Sequence, residues 1–157
     1  MRFKEFLNEK DNLKNAKISY TKLGSSDSKG EFSWNMNKKN ILIKDIKKRK
    51  KIKAFRTFSL SEKKWNEYFE TGYTEIGNEN LEKGLTSFTI EKKMLGRFRG
   101  GNDITIVIEV ELNKYSEILQ DSAYPEEKEL LGNDVKWVVT GLDDDNDNWY
   151  IIGKQIG

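Results

Sequence analysis

The sequence predicts an α+β fold in which a short amino-terminal helical part is followed by a mostly antiparallel sheet. Apolar residues recur at helical spacing in the first part of the chain, and from residue 84 onward they alternate with polar residues. Helices that precede a block of strands are typical of α+β domains. The chain has 157 residues with four Trp, six Tyr and eight Phe, which is enough apolar material for a single domain over residues 1–157.

The helical part is predicted to contain three helices, over residues 2–15, 41–50 and 59–72. The third begins with a capping box formed by Ser59 and Glu62 and ends at Gly72. Between the second and third helices, residues 51–58 alternate like a strand, and this strand carries Arg56.

The clearest strand is predicted over residues 103–112. Five apolar side chains fall on one face of it, Ile104, Ile106, Ile108, Val110 and Leu112. The same alternation predicts further strands over residues 84–90, 127–131, 134–142 and 148–156, with a short helix over residues 91–98.

The loop before the last strand is strongly acidic. Asp143, Asp145 and Asp147 stand at alternate positions, as in a calcium-binding loop. However, Asn148 and Lys154 stand where such a loop requires Gly and a bidentate Glu. We therefore interpret the loop as a hairpin turn and predict no metal site.

The chain contains neither Cys nor His. This excludes disulfides, thiolate metal sites and every mechanism that uses a histidine base. Any catalysis must therefore use carboxylates, hydroxyls, Arg, Lys or Tyr. No apolar run is long enough to span a membrane and no signal peptide is visible, so we expect a soluble protein of the reducing cytoplasm.

Residues 44–53 form a basic run, although the formal net charge is only +2. Its lysines, from Lys47 to Lys53, suit a nucleic acid or an acidic partner. The alternative is a solvated helix face. We favour the helix face, because no aromatic residue interleaves with the basic ones in this run.

Three polar patterns follow one another along the chain. Arg56, among aromatic neighbours, suits either a charge that reaches outward from an edge strand or an inward fork for a phosphate. Ser87 and Thr89 lie two apart on a strand, so both hydroxyls face one side, as in an ordinary strand or in a hydrogen-bonding site. Glu127 and Glu129 are also two apart. Like charges side by side on one face of a sheet favour a wet or functional face.

In this order, a strand Arg, a strand Ser-x-Thr and a strand Glu-x-Glu resemble the mono-ADP-ribosyltransferases of the Arg-Ser-Glu class, which includes bacterial toxins and phage-encoded relatives. The resemblance covers residues 50–156 and implies a two-sheet ADP-ribosyltransferase-like core. Phe98 and Tyr124 fall where the family has aromatic residues. Phe88 replaces the usual Thr of the second motif, and in an alternating strand this side chain points away from the site.

The resemblance implies an enzyme that uses NAD as a substrate and needs no metal. Arg56, Ser87 and Glu129 would converge in one cleft from three different strands. Glu129 would stabilise the positive charge that develops on the ribose as nicotinamide leaves, and Ser87 would orient it with the support of Thr89. Arg56 would bind the diphosphate as a fork.

Other implied roles lie in loops. Arg97 and Phe98 belong to the basic, Gly-rich stretch 96–101, which by itself suits either a phosphate or a simple turn. By resemblance they would pack on the nicotinamide and the phosphates. Tyr124 would contact the target, and Glu127 would activate the acceptor. In the family a Glu at this position accompanies arginine acceptors, so the resemblance implies modification of arginine on an acceptor protein.

Residues 1–9 resemble the amino-terminal targeting peptides of internal head proteins in T-even-like phages, which end in a site such as Leu7-Asn8-Glu9. The alternative is simply a first helix. The resemblance implies packaging in a phage virion and action on a host protein in the host cytoplasm. Two other functions stay open: a nucleic-acid ADP-ribosyltransferase guided by Lys47–Lys53, and a virion protein that keeps the fold without turnover. Glu127 disfavours the first, and the complete set of motif residues disfavours the second.

Overall fold

The computed structural model describes residues 13–17, 36–93, 104–117, 128–145 and 148–157. Its helices are residues 13–17 (α1), Met36–Asp45 (α2) and Glu62–Glu70 (α3). Its strands are Lys47–Leu60 (β1), Glu79–Thr89 (β2), Ile104–Glu117 (β3), Glu129–Asp145 (β4) and Asn148–Gln155 (β5). The predicted α+β class is confirmed, since two helical segments precede the strands and α3 links β1 to β2. Residues 1–9, with their resemblance to phage peptides, lie outside the described residues.

The described strands form one mixed sheet in the order β1-β2-β4-β3-β5, with additional pairings of β1 with β3 and of β4 with β5. β3 and β5 run parallel, and the other described pairs are antiparallel. The prediction of a mostly antiparallel sheet is therefore confirmed. The prediction of two separate sheets is wrong, because β1 joins β2 through Phe55 and Thr89, and the end of β3 joins β4.

Several predicted boundaries are wrong. The strands expected over residues 127–131 and 134–142 are one strand, β4, and β3 continues past residue 112 to Glu117. The helix expected over residues 41–50 ends at Asp45, and Lys47 already pairs with Tyr115 of β3. Pairing with a distant strand overrides the weak helical stripe here, so the basic run lies on a strand and not on a helix face. The strand expected to begin at Gly84 begins at Glu79, and Gly84 lies instead at a register shift inside β2 with φ of 73°. A glycine with positive φ accommodates such a bulge.

The capping of α3 also differs from the prediction. Ser61 is the N-cap and its side chain accepts a hydrogen bond from the backbone N–H of Lys64, whereas Ser59 lies within β1. The predicted end of the helix is confirmed, because Gly72 follows the C-cap with φ of 81°. The cap shifted by two residues because Ser59 pairs with Thr105 of β3.

The main core lies along β3. Its side chains Ile106, Ile108, Val110 and Leu112 are fully buried, as the predicted alternation requires, and Val107 on the opposite side is buried as well. β3 is therefore covered on both faces. The first face packs against residues of β1, β2 and β4, including Ala54, Phe88, Leu130 and Trp137. Full burial of each large apolar side chain contributes about 1.5–3 kcal/mol.

α3 is attached to the sheet through aromatic rings. Trp65 is buried, and its ring centroid lies 5.2 Å from that of Trp149 in β5. The other aromatic residues of the predicted stripe, Tyr68 and Phe69, stay 39% and 49% exposed. Only one side chain of the stripe therefore enters the core, while the others form an apolar border at the surface.

The acidic segment between the last two strands is a hairpin, as predicted, because β4 pairs with β5 up to Asp145 and Asn148. In the part of the chain that the structure describes, no three acidic side chains lie close enough to hold a metal ion. No helix among these residues has the length and apolar character needed to cross a membrane.

Gly153 of β5 tests the packing between β4 and β5. A Cβ atom there would overlap the indole ring of Trp137 and approach the carbonyl oxygen of Val138 to 2.5 Å. We expect Gly153→Ala to lower the free energy of unfolding by about 1–3 kcal/mol, because the backbone cannot move aside. Urea titration measures the free energy of unfolding of the variant and of the wild type. Gly141→Ala is the matched control, since a Cβ there meets no atom within 4 Å; equal stability of the two variants would contradict the predicted close packing.

Candidate active site

Ser87, which is partly buried, and Glu129, which is buried, form a hydrogen-bonded pair. Thr89 of β2 is paired with Glu129 of β4, and Ser87 is two residues back along β2, so the three side chains lie on the same face. The Ser87 Oγ donates to Oε2 of Glu129 at 2.6 Å. Glu129 is only 7% exposed. The sheet therefore holds one carboxylate in a defined orientation and largely removed from water.

One row of paired residues crosses all five strands at this point. It runs from Glu129 through Thr89, Phe55 and Glu109 to Ile152. Phe55 is thus two strand spacings from Glu129, or about 10 Å between backbones. In this row, β2 separates β1 from the buried carboxylate of Glu129.

The Arg56 side chain itself points elsewhere. Arg56 follows Phe55, so it leaves β1 on the opposite side of the strand. Its Nη1 donates to Oε2 of Glu82 at 3.2 Å, and its guanidinium carbon lies 5.3 Å from the ring centroid of Phe58. The guanidinium contacts Glu82 and not the serine–carboxylate pair. The structure therefore brings Ser87 and Glu129 together but not Arg56, and the predicted convergence of all three motif residues in one cleft is not observed.

Glu82 is the centre of a polar cluster that the sequence did not indicate. Its Oε1 accepts hydrogen bonds from the Tyr73 hydroxyl at 2.6 Å and from Nε1 of Trp137 at 3.3 Å, while its Oε2 accepts from Arg56. Burial of Tyr73, followed by the charge of Glu82, raises the pKa of this phenol far above its ordinary value. No local pattern marks Glu82, because its partners lie 9, 26 and 55 residues away in the chain.

The end of β2 is tied to the start of β4. Ile90 N donates to the Lys128 carbonyl at 3.1 Å, and Lys128 Nζ lies 2.8 Å from Oε1 of Glu91. The hydrogen bond from Lys128 and its positive charge lower the pKa of the Glu91 carboxyl. Thr89, the predicted support of the carboxylate, accepts a hydrogen bond from Glu91 N at 3.1 Å. These contacts fix the point at which the chain enters β4, directly before Glu129.

The remaining predicted site residues are placed as follows. Five lysines of the basic run are exposed on β1, Lys47, Lys48, Lys50, Lys51 and Lys53. Nζ of Lys53 lies 3.8 Å from Oε2 of Glu109. The other residues that the family resemblance singled out lie outside the described residues: Arg97, Phe98, Tyr124 and Glu127.

No family model and no curated protein matches this chain. Solved structures do match it. The C3 exoenzyme of Clostridium limosum is 15% identical with a TM-score of 0.66, covering 98% of this chain and 90% of that one. C3stau2 of S. aureus, solved with NAD, is 15% identical with a TM-score of 0.62, covering 93% and 87%. The ADP-ribosyltransferase Vis of Vibrio splendidus, solved with agmatine, is 18% identical with a TM-score of 0.61, covering 96% and 74%. The chain therefore has the fold of the ADP-ribosyltransferase toxins.

The buried phenol of Tyr73 predicts a pH dependence. The unfolded chain loses this proton near pH 10, whereas the folded chain keeps it to higher pH. The contribution of Tyr73 is therefore complete below pH 10 and falls by about 1.4 kcal/mol per pH unit above it. Urea titrations at pH 9 and pH 11 should show a smaller loss of stability in Tyr73→Phe than in wild type. Tyr68→Phe, at an exposed ring, should match wild type; an unchanged loss in Tyr73→Phe would contradict the prediction.

Proposed function

We propose that this chain is an NAD-dependent mono-ADP-ribosyltransferase, a glycosyltransferase that modifies arginine side chains of proteins. The observation that carries the proposal is the 2.6 Å hydrogen bond between Ser87 and the buried Glu129 within this fold. The family resemblance assigns catalysis to Glu129 and the orientation of its carboxylate to Ser87.

The reaction breaks the bond between C1′ of the ribose and the nicotinamide nitrogen. The electron pair leaves with nicotinamide, so positive charge develops on the ribose. The negative charge of Glu129 stabilises it, and the carboxylate accepts a hydrogen bond from the ribose 2′-hydroxyl. Ser87 already fixes Oε2 of this carboxylate, so little reorganisation is needed when the charge develops.

Arg56 binds the diphosphate of NAD in this proposal. Its side chain is 33% exposed, so an anion can reach the guanidinium. The planar guanidinium can donate two parallel hydrogen bonds to phosphate oxygens, which a lysine cannot do. Arg97 and Phe98 complete the site, a role that rests on the family resemblance. C3stau2, solved with NAD, supports NAD as the substrate.

The acceptor is a guanidinium group. Glu127 pairs with it and takes up its proton at transfer, and Tyr124 contacts the target protein; both roles rest on the family resemblance. The structure of Vis with agmatine, a small molecule that ends in a guanidinium, supports this class of acceptor. With the resemblance of residues 1–9, the proposal extends to a phage-delivered enzyme that acts on a host protein in the host cytoplasm.

A second candidate is transfer to a nucleic acid. The observation that favours it is the series of five exposed lysines between Lys47 and Lys53 on β1. Incubation with labelled NAD and host lysate, with and without nuclease, separates the two. Label that survives nuclease but not protease supports a protein acceptor. Absence of both labelling and nicotinamide release would contradict an enzymatic function.

Glu129→Gln should abolish both activities. It removes the negative charge that stabilises the ribose cation, and loss of one such group costs about 10²–10³ in rate. Release of nicotinamide and labelling of agmatine should therefore fall together. Full activity of this variant would contradict the assignment of Glu129.

Glu127→Gln should separate the two activities. It removes the base that faces the acceptor but keeps the charge that stabilises the cation. Labelling of agmatine should fall, while slow hydrolysis of NAD by water continues. Glu126→Gln is the matched control and should behave as wild type. Equal loss of hydrolysis and transfer in Glu127→Gln would contradict the assignment of separate roles to Glu127 and Glu129.

Arg56→Lys should weaken NAD binding without unfolding the protein. Lysine keeps the charge but cannot form the bidentate fork. Calorimetric titration with NAD should show roughly a tenfold higher Kd, the size of one lost charge-assisted contact. Thermal melting serves as the control for folding. An unchanged Kd would exclude the phosphate role of Arg56.

A further inference from the structure

Arg56 is paired with a carboxylate of the protein itself. The partner, Glu82, comes from β2, and only 12% of its side chain is exposed. Its two oxygens have separate partners: Oε1 accepts from Tyr73 and Trp137, and Oε2 accepts from Arg56. Glu82 therefore connects an accessible guanidinium to two rings of the core.

The rings hold Glu82 in one orientation. Trp137 is fully buried and Tyr73 is 5% exposed, and their ring centroids lie 5.8 Å apart in an edge-to-face arrangement. Neither ring can turn away without opening the core. The carboxylate is therefore fixed from the side that faces the protein, and Oε2 presents a fixed acceptor to Arg56.

The contact with Glu82 uses only part of the guanidinium. Arginine carries five N–H donors. Across the described part of the chain, Nη1 of Arg56 bonds to Glu82, and neither Nε nor Nη2 makes a hydrogen bond. The edge formed by Nε and Nη2 is thus available for two parallel hydrogen bonds to a phosphate. The ring centroid of Phe58 lies 5.3 Å from the guanidinium carbon, and this contact further limits the movement of the Arg56 side chain.

We infer that Glu82 is a positioning residue for Arg56, which aims the Nε–Nη2 edge of the guanidinium at the diphosphate of NAD. This rests on the proposed function. A long arginine side chain loses conformational freedom when it binds an anion, and a tether that orders it beforehand removes that cost from binding. The opposite effect is competition, in which the Glu82 carboxylate takes up hydrogen-bond donors of Arg56 and repels the phosphate, and so lowers the affinity for NAD. The two effects change NAD affinity in opposite directions.

Glu82→Gln distinguishes them. The amide has nearly the shape of the carboxylate but is neutral, and its NH₂ group must face either Arg56 or the two donors on Tyr73 and Trp137, so the contact with Arg56 is either lost or deprived of its charge assistance. Calorimetry should show roughly a tenfold higher Kd for NAD and for ADP-ribose, within the usual range of coupling between contacting residues. KM for NAD should rise more than kcat falls, since Glu82 does not act on the reacting carbon.

Glu79→Gln is the matched control. Glu79 lies on the same strand and pairs with Lys136 at the surface, so this variant removes the same charge without touching Arg56. It should bind NAD as wild type does. In a protein that already carries Arg56→Lys, Glu82→Gln should raise the Kd for NAD little further, because the bidentate guanidinium is already absent. If Glu82→Gln fails to fold, Tyr73→Phe loosens Glu82 from the other side and should raise the Kd by a smaller factor.

Four outcomes decide the inference. A higher Kd in Glu82→Gln, with Glu79→Gln unchanged and no further effect beside Arg56→Lys, supports it. An equal or lower Kd in Glu82→Gln overturns it, as does an equal effect in the presence and absence of Arg56. If wild type binds neither NAD nor ADP-ribose, the proposed function fails and the inference fails with it.

Discussion

The register of β2 against β4 is the constraint on which the site depends. Thr89 stands opposite Glu129, and this places Ser87 within hydrogen-bonding reach of the carboxylate. The alternate residues Phe88 and Leu130 are each 1% exposed and face the main core. A slip of one residue would turn them outward and bury the carboxylate among apolar side chains. Core packing, and not the hydrogen bond itself, therefore keeps the site assembled.

The other face of the same strands carries the second polar group of the site. A charge that is largely removed from water must be paired and hydrogen-bonded, and Glu82 meets this requirement with one cation and two neutral donors. Arg56 thereby belongs both to the core, through Glu82, and to the surface, through its exposed edge. Through these contacts the packing of Tyr73 and Trp137 influences the orientation of the Arg56 side chain.

Some features followed from local patterns. The strands that carry Arg56, Ser87 and Glu129 were predicted with their order along the chain, and the alternation in β3 marked its buried face. The second helix was predicted too long, because residues 47–50 show a helical stripe but gain more from pairing with β3, more than 60 residues away. The two-sheet core implied by the family resemblance was wrong for a related reason, because the pairings of β1 with β2 and of β3 with β4 join the strands into one sheet.

The sequence by itself determined the α+β class, the acidic hairpin, the exclusion of histidine and cysteine chemistry, and the candidate residues Ser87 and Glu129. These depend on residue type and on periods of two to four residues, which are local properties of the chain. Only the tertiary structure decided that Ser87 bonds Glu129, and that Arg56 is held by Glu82 through Tyr73 and Trp137. Such contacts join residues 9 to 55 positions apart, and which of them form depends on the strand registers that bury the core.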